Sequence, residues 1–257
     1  MKDWLAYFFG QGQIDEFRNF SLAHLLPILV TVAVIFAIYR FRGQLAASKW
    51  DRMLRYVLAF MMIFSEMSYY WRLVGNAQML NPSAADHLPV TICGWVIVFG
   101  SYMLVGKSKG LFDICYFWVL SGTIFALITP GAVLTYTGPG RFRYYQFWLE
   151  HTLGYVAVFY MIFVHKMRPD LKAAIKAYIL LLVLAAVAML VNGMVPGANY
   201  LFLAQAEDGA SLLDILPSNI VLRLLLMSAA VTVLFALSYL PWLMMDRKAK
   251  KKEQIPA

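Results

Sequence analysis

An all-α polytopic membrane protein is the fold class this sequence predicts, and three observations predict it. Of 257 residues, 61% are hydrophobic and only 14% charged, against roughly a quarter charged and about half apolar in a soluble domain. With a mean hydropathy of +0.66, most of the surface must face a solvent other than water. Seven apolar segments follow one another, at 22–39, 54–74, 88–105, 112–137, 144–165, 175–196 and 219–245, each close to the ~20 residues a helix needs to cross a bilayer. Only helices and closed barrels satisfy the backbone in hydrocarbon. Runs such as 178–191 show no alternation, which excludes a barrel. Seven transmembrane helices and their short connections use up the chain, so residues 1–257 read as one bundle.

The first 21 residues hold Asp3, Asp15, Glu16 and Arg18 and no continuous apolar core. They do not read as a cleavable signal peptide, and span one then serves as the insertion signal. Orientation follows from the basic residues. Sixteen of the 22 Lys and Arg lie around the first, third and fifth loops and in the tail, the side that should be cytoplasmic. The N-terminus is then outside and the C-terminus inside. The net charge of +8 is spread in short runs between spans, as for loops facing an anionic leaflet, and not as in a nucleic-acid-binding surface. No fixed-period repeat and an odd span count argue against a transporter of two equal halves. Two cysteines, Cys93 and Cys115, make neither a disulfide framework nor a zinc motif.

Polar residues inside spans are costly and therefore informative, and here they share one depth in the outer half. His24 opens span one, and Glu66 lies in the outer half of span two. Cys93 is about five residues, roughly 7 Å, below the outer start of span three. Glu150 and His151 lie at similar depth in span five, Asn192 near the outer end of span six, and Asn219 and Arg223 open span seven. A shared layer of this kind predicts one cavity open to the exterior face. Structural roles compete at each position. Glu66 reads either as a packing carboxyl paired with Arg72 or Arg223, or as a site residue that orients His151. Arg141 and Arg143 sit where lipid headgroups lie, and Cys93 alone would be a small apolar core residue. A thiol and an imidazole on neighbouring helices, however, form the pair that generates a thiolate nucleophile. Cys93 follows Pro89 near a helix N-terminus, whose dipole favours that thiolate. The layer shows no ligand cluster at metal spacing, and no cofactor is called for.

The order FSLAH at 20–24, Glu66, LPVTIC at 88–93, Pro130, QFWLEH at 146–151, Asn192 and GANYLF at 197–202 resembles the YwaF-like family of bacterial integral membrane proteins. That family is similar to a eukaryotic multi-spanning, cysteine-dependent phospholipid acyltransferase. The resemblance implies Cys93 as nucleophile, His151 as base, and Asn192, Asn199 and Tyr200 as pocket residues. It also implies a bacterial cell membrane location. The chain departs from the LPLH form of the motif at Thr91, where relatives often carry histidine, so a mechanism needing two imidazoles is not implied. The expectation is an enzyme acting on phospholipid acyl esters. Arg141, Arg143 or Arg223 would hold the lipid phosphate, and Asn192, Tyr200 or backbone N–H groups would stabilise the oxyanion. The rival expectation is a seven-helix receptor or carrier that binds a lipid or small molecule without turning it over.

Overall fold

In the computed structural model, residues 2–10, 17–75, 84–130, 137–205 and 212–253 are described, and all regular structure among them is helical. A short α1 (Lys2–Phe8) precedes α2 (Leu22–Ala47) and α3 (Asp51–Gly75). Then come α4 (Ala84–His87), α5 (Ile92–Gly106), α6 (Lys109–Ser121), α7 (Thr123–Ile128), α8 (Phe142–Phe163), α9 (Leu171–Met194) and α10 (Ile220–Glu253). All seven predicted segments contain helix. The fourth is divided into α6 and α7, ends before Pro130, and has residues 131–136 outside the described part. Four helical segments, Leu22–Ala47, Lys109–Ile128, Leu171–Met194 and Ile220–Ala249, are long and apolar enough to cross a membrane, while α5 is apolar but shorter.

The bundle is arranged by what each helix can leave exposed. The three long apolar helices α2, α9 and α10 sit at the periphery, with little of their apolar length buried. Side chains such as Leu29, Phe36, Leu190 and Leu225 point outward, which is stable only against lipid. The more polar α8 is central. It packs on α2, α3, α5 and α6 and buries Gln146, Glu150 and His151 along with Tyr144, Phe147, Trp148, Tyr155 and Tyr160. Polar groups in lipid lack partners, so the helix that carries them is the one enclosed.

Helix irregularities supply many of the ties. Pro27 in α2 has no N–H to give to Ala23, and the Tyr144 hydroxyl donates to the Ala23 carbonyl instead, at 2.6 Å. His24 accepts from the Phe20 N–H at 2.8 Å and donates through Nε2 to the Leu127 carbonyl at 2.7 Å, so it joins α2 to α7. Between α6 and α7 the chain breaks at Gly122, where a Cβ would lie 3.0 Å from Ile92. The Val119 carbonyl beside this break accepts from Thr123 Oγ1 at 2.8 Å and from the Tyr155 hydroxyl at 3.0 Å. The break thereby brings Thr123 up to the start of α5.

Candidate functional site

The first turn of α5 carries Cys93 at its second residue. Thr91 caps that turn: its Oγ1 accepts from the Gly94 N–H at 3.1 Å. Capping is thus the local role of Thr91. The N–H groups of Ile92 and Cys93 lie at positions with no carbonyl to reach inside their own helix. Gly94 lets α3 approach, because a Cβ there would lie 3.0 Å from both Glu66 Oε1 and Thr91 Oγ1.

Opposite Cys93, on α8, stands His151, 6% exposed. Its Nδ1 is 2.8 Å from the Phe147 carbonyl one turn back. A carbonyl only accepts, so Nδ1 carries a proton, and in the neutral ring Nε2 keeps its lone pair. Nε2 is buried and has no hydrogen-bond partner among the described residues. Cys93 and His151 line the same small cavity, with Thr123, Glu150, Gly154 and apolar residues of α5 and α6. Its free space is about 10 Å³, close to the minimum for one water. The expected outward-open cavity is thus only a narrow crevice here, too small for more than a water-sized group. Gly154 keeps α5 and α8 close, since a Cβ there would lie 3.3 Å from Val96.

Beside the cavity, three polar side chains of α8 form a ladder one helical turn apart. Arg143 donates to Gln146 Oε1, and Gln146 Nε2 donates to Glu150 Oε2 at 2.6 Å and to the Ser65 carbonyl at 3.2 Å. Arg143 also lies 3.9 Å from Glu150 and stacks 4.5 Å over the Tyr69 ring. Glu66 on α3 shares the field of Glu150 and Arg143.

The other sequence candidates fall elsewhere, and each is held by a specific bond. Glu66 does not orient His151, because Nδ1 is occupied by Phe147 and Glu66 faces the start of α5. Arg141, 2% exposed, donates to the Tyr7 carbonyl at 2.6 Å and stacks 3.8 Å over the Tyr7 ring. It anchors α1 instead of facing headgroups. Asn192 exchanges two hydrogen bonds with the Tyr200 backbone, at 2.7 and 3.0 Å. Asn199 Oδ1 accepts from Ala204 and Gln205 N–H, both at 3.2 Å. The Tyr200 hydroxyl accepts from the Leu88 N–H at 2.6 Å. Arg223 donates to the Phe202 and Gln205 carbonyls, both at 3.0 Å. Together these four residues fasten the 199–205 connection to α4, α9 and α10 and do not line the Cys93 cavity. Among the expected phosphate and oxyanion groups, Arg143 and the α5 backbone N–H groups remain next to it.

Sequence reasoning groups Glu150 with His151 but gives it no role, and it misses Gln146, Thr123 and Gly154. Gln146 and Glu150 stand four residues apart, one helical turn, and Gly154 follows Glu150 by another four. That spacing is the signal that one face of α8 is polar and then small. Among the described residues no three His, Cys, Asp or Glu side chains converge as a metal site would require.

The model of the TMEM164 family matches residues 19–244, a stretch that contains every candidate site residue. No curated protein and no solved structure matches the chain.

Proposed function

Because the chain belongs to the TMEM164 family of membrane proteins, we propose that it is a membrane-embedded enzyme that transfers or hydrolyses phospholipid acyl groups through Cys93 and His151. The observation that carries this reading is the Nε2 of His151, buried and without a hydrogen-bond partner among the described residues, in the same small cavity as Cys93. Most buried polar groups are hydrogen-bonded, as both ring nitrogens of His24 are. The resemblance to YwaF-like proteins and their acyltransferase relative points the same way.

In the reaction, Nε2 takes the Cys93 thiol proton and the sulfur attacks the acyl ester carbonyl. The free N–H groups of Ile92 and Cys93, backed by the α5 dipole, face the developing oxyanion. Collapse of that intermediate breaks the carbon–oxygen bond, and the imidazolium returns its proton to the departing lysophospholipid oxygen. An alcohol or water then gives its proton to Nε2 and attacks the thioester, and the proton finally restores the thiol. Arg143 lies 3.9 Å from Glu150, which lines the cavity, and keeps 20% of its side chain exposed; it is the candidate partner of the lipid phosphate.

The proposal includes seven spans in a bacterial cell membrane, an external N-terminus and a cytoplasmic tail. Cys93 then lies in the outer leaflet half, near the depth of a phospholipid acyl ester. Cytoplasmic acyl-CoA cannot reach that depth, so a membrane phospholipid is the donor.

Purified protein in phospholipid vesicles should release or redistribute acyl chains without acyl-CoA. Cys93→Ala should abolish this, and Cys115→Ala, whose thiol is fully buried in the α6 core, should not. Equal turnover in the Cys93 variant would remove the nucleophile. Strict dependence on cytoplasmic-side acyl-CoA would remove the donor. For a receptor, Cys93→Ser would leave ligand binding intact and there would be no turnover to lose.

A further inference from the structure

At the opposite end of α5 the described residues form a groove that the acyl-ester chemistry does not use. It is an open surface groove that lies along α3 at the α2–α3 turn, with Lys107 from the end of α5, and offers about 760 Å³ of space. Lys107 follows Cys93 by fourteen residues, about 20 Å at helical rise, so the two sites are separate.

The floor of the groove is built from buried polar side chains. Arg55, 4% exposed, donates to Asp51 at 3.0 Å and to the carbonyls of Leu104 and Val105 at the end of α5. Asp51 also accepts from the Tyr160 hydroxyl at 2.9 Å and from His165 Nε2 at 2.8 Å. These bonds tie α3, α5 and α8 together and occupy the single carboxylate in the lining. Lys49, Arg52 and Lys107 therefore present net positive charge at the rim. Lys107 lies 3.7 Å from Asp51 with its side chain 46% exposed, and Lys49 sits over the Trp50 ring.

The wall below the rim is apolar and outward-facing, with Met53, Val57 and Phe60 at 50%, 49% and 66% exposure. From Asp51 to Phe60 the helix descends about 13 Å. Cations above and an outward-facing apolar wall below match an anionic amphiphile. We infer that this groove binds one anionic phospholipid of the leaflet at that end, with its headgroup phosphate among Lys49, Arg52 and Lys107 and an acyl chain along Val57 and Phe60. A free anion would meet the rim alone and leave the apolar wall unused.

The test reconstitutes the protein in phosphatidylcholine vesicles containing a minority of phosphatidylglycerol, extracts it gently, and counts retained lipids by native mass spectrometry. Phosphatidylglycerol should be enriched over its share in the vesicle. The triple change K49Q/R52Q/K107Q should cut that enrichment about tenfold or more, given the worth of each cation near a membrane surface. K248Q/K250Q/K251Q removes the same charge from the C-terminal run and should preserve it. Absent enrichment, or equal loss in both triple variants, overturns the site. Displacement by excess inorganic phosphate would reassign the rim to a free anion and overturn the lipid. Cys93→Ala should leave the enrichment unchanged, so this inference stands or falls apart from the acyl-transfer reading.

Discussion

Replacing His151 by phenylalanine separates a catalytic base from a packing residue. The imidazole lies 4.2 Å, centroid to centroid, from the Phe147 ring, and a phenyl group preserves that aromatic contact. The change removes one neutral hydrogen bond, from Nδ1 to the Phe147 carbonyl, worth about 1 kcal/mol net. That carbonyl is not orphaned, because it also accepts the intrahelical N–H of α8. The change also removes a buried nitrogen that has no partner, whose desolvation costs roughly 1–3 kcal/mol. The two effects oppose each other, and the expected change in unfolding free energy is within about 2 kcal/mol of zero, in either direction. Turnover should behave differently. Loss of a positioned general base costs typically 10²–10⁴-fold, or about 3–5 kcal/mol of transition-state stabilisation. Thermal unfolding in detergent and acyl release from vesicles, measured on the same preparations, read the two quantities. Turnover retained within about threefold would refute the assignment of His151 as base. A turnover loss matched by a destabilisation of 3 kcal/mol or more would refute the claim that its role is chemical.

Two further outcomes follow from other parts of the chain. In the proposed seven-span topology sixteen of the 22 Lys and Arg fall on one side, so a reporter fused after Ala257 should be active only in the cytoplasm; activity only in the exterior compartment would reverse the orientation and move the site to the inner leaflet half. Asp51→Ala should destabilise the protein by about 3–5 kcal/mol, because it strands the buried Arg55 and leaves Tyr160 and His165 without their acceptor. Burial pushes the Asp51 carboxyl up, but hydrogen bonds from Tyr160, Arg55 and His165 outweigh it and hold it below the ordinary carboxylate range. Its contribution should therefore be complete above that range and be lost as pH falls through the lower folded value. Acid-unfolding curves of wild type and Asp51→Ala should accordingly converge at low pH, and curves that stay parallel to the lowest pH would contradict the network.

Composition and hydropathy by themselves determined that the protein is helical and membrane-embedded, because the cost of an unpaired backbone in hydrocarbon leaves few alternatives. They also located the helical segments, since length and apolarity are local properties. Counting residues from the ends of neighbouring spans also pairs Cys93 with His151, and the two line one cavity. The rotation of each helix and the partners of each polar atom were not legible, because these depend on contacts between residues far apart in sequence. Arg141 looks like a headgroup cation until Tyr7, 134 residues away, takes its guanidinium. Asn192, Asn199, Tyr200 and Arg223 share the polar layer in sequence but are drawn to the carbonyl and N–H groups of an irregular connection, which has no helical partners of its own. The Asp51 network joins residues up to 114 positions apart, and nothing in the neighbourhood of Asp51 announces His165 or Tyr160. Only the packing of α8 through the centre of the bundle decided which polar atoms would be bonded and which, at His151 Nε2, would be left without a partner.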